Sequence, residues 1–234
     1  MEGGGRVVVT REAQANAPWL ARLAALGLET LDLPLLRYEA LDPPLPDGPW
    51  DWALVTSPQG ARRLAAWGRL PADVKLGTLG GGTRAALEAA GLRDDLHDDL
   101  GVDTPDGAAL AQAFLARVAV PCRVLLPGAE SRLAEPGRSL RAAGCEALAV
   151  ALYRTVTVPP GELPPVAWRA GDVVLFGSPS AVRAFAAAWR ERPRCVAIGA
   201  TTAEAAREAG FRPEVAATPD LDAMLRAAGL GPQT

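Results

Sequence analysis

The chain has 234 residues, of which 49% are hydrophobic and 22% are charged, and its formal net charge is −3. This balance is typical of a globular protein with a buried core and excludes a disordered chain. Lys and Arg form no cluster, so we expect no nucleic-acid partner. The longest apolar stretch, 107–120, contains Gln112 and Arg117 and is shorter than the roughly 20 residues of a bilayer-spanning helix. It predicts an amphipathic helix, and we expect no membrane partner.

The N-terminus and the cysteines bear on the cellular compartment. Glu2 lies where a secretory signal would carry positive charge, and a strand-like run follows it, so we expect a cytoplasmic protein. Cys122, Cys145 and Cys195 are an odd number without C-x-x-C spacing. This pattern favours buried free thiols over a disulfide framework or a thiolate metal site.

The sequence contains an internal repeat. Three segments recur in the same order and at nearly the same spacing: 6–9 with 123–126, 51–58 with 172–179, and 79–83 with 198–202. In each copy, short apolar runs alternate with alanine-rich helical periods, which is typical of parallel α/β sheets. Glycines at 27, 91, 144 and 210 follow these helical periods and predict left-handed C-caps. The fold class is therefore α/β, with two similar domains.

Two proline-rich loops, 41–49 and 159–165, leave the domain order open. The chain could divide into two consecutive halves near residue 120. It could also leave one domain, build the other and return to the first. Periodicity does not choose between these arrangements.

Small polar residues follow the predicted strands, at the edge where parallel α/β sheets bind ligands. Ser and Thr there could be ordinary helix N-caps. If the strand ends face a common cleft, however, their backbone N–H groups would suit a ligand with many carboxylates. The candidates are Thr10 and Arg11, Thr56 and Ser57, Thr83, Gly128 and Ala129, Ser178, and Thr202.

Other familiar catalytic patterns are weak in this chain. The run 80–85 fits G-x-G-x-x-A, but its repeat partner has Ala200 and Thr201 in place of the later glycines. His97 is the only histidine, so a Ser-His-Asp triad would have to use it. The acidic stretch 94–99 favours a solvated loop over a magnesium site. We predict no metal site.

Tyr153 marks a difference between the two copies, because the equivalent position in the first copy is Leu36. A tyrosine at a strand end can donate its hydroxyl proton to a leaving group. Packing of the ring under the following loop is an equally ordinary use, and spacing alone does not decide between the two.

Taken together, the motifs resemble the uroporphyrinogen-III synthase family over essentially the whole chain. They are 8–11 (VVTR), 54–58 (LVTSP), 79–83 (LGGGT), 152–154 (LYR), 175–179 (LFGSP) and 197–202 (AIGATT). The chain departs from the family at Gly177, where a threonine commonly precedes the serine. That departure puts a hydroxyl role at position 177 in doubt.

The resemblance implies a discontinuous first domain, residues 1–36 and 158–234, and a second domain, residues 40–152. Linker strands 37–39 and 153–157 would join them, with the substrate cleft between. The implied reaction is that of a lyase without a cofactor. It would close hydroxymethylbilane, a linear tetrapyrrole with eight carboxylates, through an azafulvene and a spiro intermediate, with inversion of ring D and loss of water.

The resemblance also assigns roles to residues. Tyr153 becomes the preferred group for assisting departure of the hydroxyl. The expected substrate contacts are Arg11, Thr56, Ser57, Thr83, Gly128, Ala129, Ser178 and Thr202. The protein should be a monomer whose partner is the small-molecule substrate. The alternatives are a non-catalytic two-domain module that binds or senses a tetrapyrrole, and a nucleotide-using enzyme with the same fold.

Overall fold

The computed structural model describes residues 5–96, 106–131 and 134–231, so His97 lies outside the described residues. The chain divides into two compact units: unit 1 is Met1–Tyr38 with Thr155–Thr234, and unit 2 is Glu39–Arg154. In chain order the elements are β1 (Val7–Val9), α1 (Ala13–Ala25), β2 (Thr30–Asp32), β3 (Leu36–Ala40), β4 (Trp52–Val55), α2 (Pro58–Trp67), β5 (Lys75–Thr78), α3 (Gly80–Glu88), α4 (Gly107–Leu115), β6 (Arg123–Ala129), α5 (Gly137–Ala142), β7 (Glu146–Thr157), β8 (Val173–Phe176), α6 (Pro179–Ala188), β9 (Arg194–Ala197), α7 (Ala200–Glu208), β10 (Glu214–Val215) and α8 (Leu221–Ala227). A short 3₁₀ turn lies at Pro160–Glu162.

Each unit contains one five-stranded sheet. The strand order is β10-β9-β8-β1-β2 in unit 1 and β3-β7-β6-β4-β5 in the other sheet. The pairs within β10-β9-β8-β1-β2 and within β7-β6-β4-β5 are parallel. Strand β3 lies at one edge beside β7, and its residues pair in the opposite direction, Leu41 N with Leu152 O and Val158 N with Leu35 O. The predicted α/β class, with two similar parallel sheets flanked by helices, is confirmed.

Both sheets combine strands from the two sequence copies. By the internal repeat, β1 is equivalent to β6, and β4 is equivalent to β8. Strand β1 nevertheless pairs with β8, and β4 pairs with β6. Each sheet therefore has a first-copy strand beside a second-copy strand at its centre, and the division between units falls within β3 and within β7.

The central strands are apolar throughout because both of their faces are covered. In unit 1, Val8 packs with one cluster of buried side chains, whereas Val7 and Val9 pack with another on the opposite face. All three are at most 2% exposed. Successive side chains of a strand point to opposite faces, so burial of both faces requires a continuous apolar run.

The helices end where the sequence predicts, except for the helix that begins at Gly107. The predicted left-handed C-caps are confirmed, with φ of 72° at Gly27, 77° at Gly91, 95° at Gly144 and 85° at Gly210. The helix predicted over 107–120 ends earlier, at Leu115. The Phe114 carbonyl accepts from both Arg117 N and Val118 N, which closes the last turn. Pro121, which has no N–H, follows shortly after.

The three cysteines are buried free thiols, as predicted. Cys122 and Cys145 immediately precede the neighbouring strands β6 and β7, and their Sγ atoms lie 3.0 Å apart. Burial raises the pKa of Cys122 to about 12, with a further contribution from Cys145. Burial likewise raises the pKa of Cys195 to about 12. Cys122 and Cys195 therefore remain thiols at neutral pH, and all three side chains are part of the core.

Candidate functional site

The carboxyl ends of β4, β6 and β7 in unit 2 surround a cavity of about 500 Å³. Five of the predicted site residues line it: Thr56, Ser57, Gly128, Ala129 and Tyr153. Their motifs are far apart in the sequence, and the order of the strands brings them together. The structure thus gathers around one space five of the nine residues to which the family resemblance assigns a role.

Tyr153 points into this cavity from β7 and is 6% exposed. The register of β6 and β7 shifts between Gly128 and Ala129, so that Ala129 lies opposite Tyr153. The Tyr153 carbonyl accepts from Glu130 N at 2.8 Å, which fixes the backbone at this point. The Tyr153 hydroxyl lies 3.3 Å from Ser57 Oγ. It is therefore held beside a second hydroxyl and can donate a proton to a group in the cavity.

Ser57 is held by the turn between β4 and α2. Its Oγ accepts from Gly60 N at 3.0 Å, which makes it the N-cap of a helix whose first residue is Pro58. A Cβ on Gly60 would lie 3.1 Å from Ser57 Oγ and 3.2 Å from Val55 Cγ1, so the absence of a side chain there allows this close approach. Ser57 thus caps a helix and contacts Tyr153 at the same time.

Arg141 is a cavity residue that the sequence reasoning missed. It lies in the last turn of α5, and its Nη1 donates to Ala147 O at 2.9 Å. A Cβ on Gly137 would lie 3.1 Å from the same Nη1, so the glycine leaves room for the guanidinium. Within the described ranges Arg141 forms no ion pair, and its other N–H groups can bind an anion. The spacing from Gly137 to Arg141, one helical turn, is the only local signal.

Thr83 lies in unit 2 but not among the residues that line the cavity. It occupies the first turn of α3 and is 3% exposed. Gly80, Gly81 and Gly82 belong to the same turn of helix. The equivalent turn of α7 has Ala200 and Thr201 in place of the later glycines, so the glycine pattern does not favour nucleotide binding.

The acidic stretch that we expected to be solvated is partly buried, and the prediction is wrong for Asp94. Asp94 is 1% exposed, and it accepts a hydrogen bond from the Thr78 hydroxyl and one from Leu96 N. Asp95 accepts from Leu76 N at 2.9 Å. The two carboxylates therefore tie the segment after α3 to β5.

The remaining predicted residues lie in unit 1. Ser178 is the N-cap of α6, and its Oγ accepts from Ala181 N at 3.2 Å. Thr202 lies in the first turn of α7 and is 4% exposed. Both repeat the arrangement of their unit 2 equivalents, Ser57 and Thr83.

Arg11 follows β1 and is half-buried. Its guanidinium carbon lies 4.5 Å from the centre of the Trp19 ring, and its Nη1 donates to Ala15 O at 3.3 Å. Burial lowers the pKa of Arg11, although the nearby Tyr38 and Glu12 partly oppose this effect. Arg11 has no carboxylate partner among the residues that the structure describes. A carboxylate from outside the protein could supply the missing negative charge.

No group of three or more His, Cys, Asp or Glu side chains in the described segments is placed to hold a metal ion. No described helix has both the length and the apolar character needed to cross a membrane.

Comparison with known proteins gives a consistent family. A family model described as "Uroporphyrinogen-III synthase HemD" matches residues 17–226. The chain is 29% identical over 225 residues to the chloroplastic uroporphyrinogen-III synthase of Oryza sativa subsp. japonica, covering 88% of this chain and 73% of that protein.

Two further similarities point in the same direction. The chain is 26% identical over 255 residues to the porphyrin biosynthesis protein HemD of Ruminiclostridium josui, covering 95% of this chain and 47% of that protein. It therefore spans about half the length of that relative. The crystal structure of uroporphyrinogen-III synthetase from Helicobacter pylori 26695 matches with a TM-score of 0.65 and 18% identity, over 95% of this chain and 98% of that one. This last likeness shows the shared fold.

Proposed function

Because the chain belongs to the uroporphyrinogen-III synthase family, we propose that it cyclises hydroxymethylbilane to uroporphyrinogen III, with inversion of ring D and loss of water. The observation that carries the proposal is the family match over residues 17–226. The chemistry of the site agrees with it, because a hydroxyl pair and an arginine line a cavity at the strand ends of unit 2.

Loss of the substrate's hydroxyl group is the step that needs a proton. As the C–O bond breaks, the electron pair of the adjacent pyrrole nitrogen moves toward the carbon, and an azafulvene forms. In our proposal the Tyr153 hydroxyl donates a proton to the departing oxygen, which leaves as water, and the Tyr153 phenolate then recovers a proton from the pyrrole N–H, whose loss completes the azafulvene. Ser57 Oγ, 3.3 Å from that hydroxyl, keeps it in place.

Ring closure requires positioning more than acid or base strength. The azafulvene carbon is attacked by the substituted carbon of ring D, which gives a spiro intermediate that fragments and recloses with ring D inverted. Closure without the protein gives the uninverted isomer, so the protein must make the inverting attack the shorter path. The proposed contacts therefore act by holding the substrate's carboxylates.

The proposed contacts come from both units. In unit 2 they are Thr56, Ser57, Thr83, Gly128 and Ala129, to which we add Arg141. In unit 1 they are Arg11, Ser178 and Thr202. Hydroxyl groups, arginines and the free N–H groups at helix N-termini are suitable partners for carboxylates. The low exposure of Thr83 and Thr202, 3% and 4%, supports contact through the backbone of their helix turns more than through their methyl-bearing side chains.

The proposal also covers the organisation of the enzyme. It has domains at residues 1–36 with 158–234 and at 40–152, a division that the two compact units support. It acts in the cytoplasm as a monomer without a cofactor, and it has no nucleic-acid or membrane partner. Light scattering coupled to size-exclusion chromatography tests the monomeric state.

The test of the function is an isomer assay. Purified protein is given hydroxymethylbilane, and the products are oxidised and separated by chromatography. The proposal expects type III product above the spontaneous type I background without any added cofactor. If a folded protein yields type I product alone, the enzyme proposal fails and a non-catalytic tetrapyrrole-binding module becomes the better account.

A further inference from the structure

Gly177 is the position at which the chain departs from its family. The Arg11 side chain occupies the space that a side chain at position 177 would need. The φ of Gly177 is not positive, so its backbone would accept any residue. A Cβ at this position, however, would lie 3.2 Å from Arg11 Cγ and 3.4 Å from Arg11 Cδ. The first distance is closer than a Cβ normally approaches another carbon, and the additional atoms of threonine would need still more room.

The arrangement is reversed at the equivalent positions of unit 2. In unit 1, Val9 pairs with Leu175, so Arg11 and Gly177 are neighbours just beyond the ends of β1 and β8. In unit 2, Ala53 pairs with Leu125, and three residues further along each strand the same register brings Thr56 level with Gly128. Each unit thus has one glycine in this cross-strand pair, on opposite strands. Unit 2 has a threonine across from its glycine, whereas unit 1 has an arginine whose stem lies over Gly177.

The Arg11 side chain passes through the space above Gly177. Its aliphatic stem lies over Gly177, and its guanidinium then reaches the face of Trp19, 4.5 Å from the ring centre. Its backbone N–H donates to Asn16 Oδ1 at 3.0 Å, which anchors the residue at its other end. Asn16 is itself buried and bonded to Asp32 Oδ1 at 2.6 Å. Packing of the stem on Gly177, stacking of the guanidinium on Trp19 and the backbone hydrogen bond to Asn16 together hold Arg11 in one conformation.

We propose that Gly177 is a positioning residue, which holds the Arg11 guanidinium in place to bind a carboxylate of the tetrapyrrole. This inference rests on the proposed function, because it specifies how the unit 1 strand ends bind that substrate. A half-buried guanidinium over an aromatic ring loses little further freedom when it binds an anion, so it binds more tightly than a mobile surface arginine. A threonine at position 177 displaces the stem and removes this advantage.

A double-mutant cycle tests the coupling between the two residues. The variants are Arg11→Ala, Gly177→Thr and the double variant, with Arg22→Ala as a control that removes an exposed arginine of α1 in the same unit. Binding of uroporphyrin III, the oxidised product, is titrated by fluorescence, and KM and kcat are measured with hydroxymethylbilane. Thermal unfolding of each variant reports whether the fold is retained.

We expect Arg11→Ala and Gly177→Thr each to raise the Kd for uroporphyrin III and the KM by about tenfold, the usual scale of a charged hydrogen bond, with little change in kcat. The double variant should bind no more weakly than Arg11→Ala alone, and Arg22→Ala should bind like the wild type. If Gly177→Thr keeps the wild-type Kd, or if the two effects multiply in the double variant, the positioning role is wrong.

A substitute variant and a separate binding readout cover two other outcomes of this experiment. If Gly177→Thr does not fold, Gly177→Ala takes its place: its Cβ requires the Arg11 stem to move by a few tenths of an ångström, so a smaller rise in Kd is expected, and none when Arg11 is already alanine. If the wild type makes no type III product but binds uroporphyrin III in a way that depends on both residues, the proposed function fails and the Arg11–Gly177 pair stands.

Discussion

The two units share a strand order and the contacts at the amino-terminal edge of their sheets, but they differ at the carboxyl edge. The order β9-β8-β1-β2 in unit 1 corresponds, strand for strand, to β5-β4-β6-β7 in unit 2. At the amino-terminal edge both units keep the same Arg–Asp contact: Arg6 N donates to Asp172 at 2.9 Å, and Arg123 N donates to Asp51 at 2.7 Å. At the carboxyl edge the side chains have diverged. Unit 2 has Tyr153 and a cavity, whereas unit 1 has Arg11 over Trp19.

The comparison separates scaffold from site. The amino-terminal contacts join two neighbouring strands in each unit, so they belong to the scaffold that the two units share. The carboxyl edge is free to change without altering the order. Side chains that differ between the two copies at the carboxyl edge are therefore the candidates for ligand binding.

The largest effect should come from breaking the scaffold contact in unit 1. The Asp172 side chain is 0% exposed, and it also accepts from the Arg6 guanidinium at 2.7 Å. Asp172→Asn should lower the free energy of unfolding by about 3–5 kcal/mol, because it leaves the 13%-exposed Arg6 charge without its partner. The exposed Asp51 offers the matched control, since Asp51→Asn should lower it by less than about 1 kcal/mol. Urea unfolding measures both, and equal losses would contradict the comparison.

The Arg6–Asp172 contact also predicts how the stability of the protein depends on pH in the acid range. Burial by itself raises the pKa of Asp172, but hydrogen bonds from Arg6 and from Arg169 N outweigh it, so the pKa lies below its ordinary value. A depressed pKa contributes stability above the unfolded-state value of about 3.9, and this is lost as the pH falls through the folded-state value. Wild-type stability should therefore decline in acid below about pH 5. The decline should be shallower in Asp172→Asn, which urea unfolding at a series of pH values measures. If the free energy of unfolding falls equally with pH in both proteins, another group controls the decline.

A smaller effect is expected from Arg141, the positively charged side chain that lines the unit 2 cavity. Arg141→Ala should raise KM about tenfold, equivalent to about 1.4 kcal/mol of binding free energy, with kcat nearly unchanged. Arg138 lies on the same helix but pairs with Glu135, and its side chain is 75% exposed. Arg138→Ala should therefore leave KM at its wild-type value. Equal KM values for the two variants would exclude Arg141 from substrate binding.

The smallest effect on stability should come from the two equivalent N-caps. Ser57→Ala and Ser178→Ala should each lower the free energy of unfolding by about 1 kcal/mol, because each serine accepts one N–H of its helix. Only Ser57 also contacts Tyr153, so only Ser57→Ala should lower kcat as well. A matching loss of kcat in Ser178→Ala would remove the distinction between the units.

Local sequence signals predicted the fold and part of the site. Ser57-Pro58 and Ser178-Pro179 mark strand-to-helix turns, and glycines such as Gly27 mark helix ends, because these preferences depend on a few neighbouring residues. The cavity could not be predicted in this way. The position of Arg141 depends on how α5 packs on the sheet, and the burial of Asp94 depends on Thr78 in another element.

In the proposed mechanism the Tyr153 hydroxyl donates the proton while the other contacts position the substrate, and the variant Tyr153→Phe separates these two roles. The variant should slow kcat severalfold or more, because it removes the proton donor. KM and the fraction of type III product should stay close to wild type, because the positioning contacts remain. Steady-state kinetics with isomer separation gives all three quantities. Full wild-type kcat in Tyr153→Phe would remove Tyr153 from the mechanism and contradict the account.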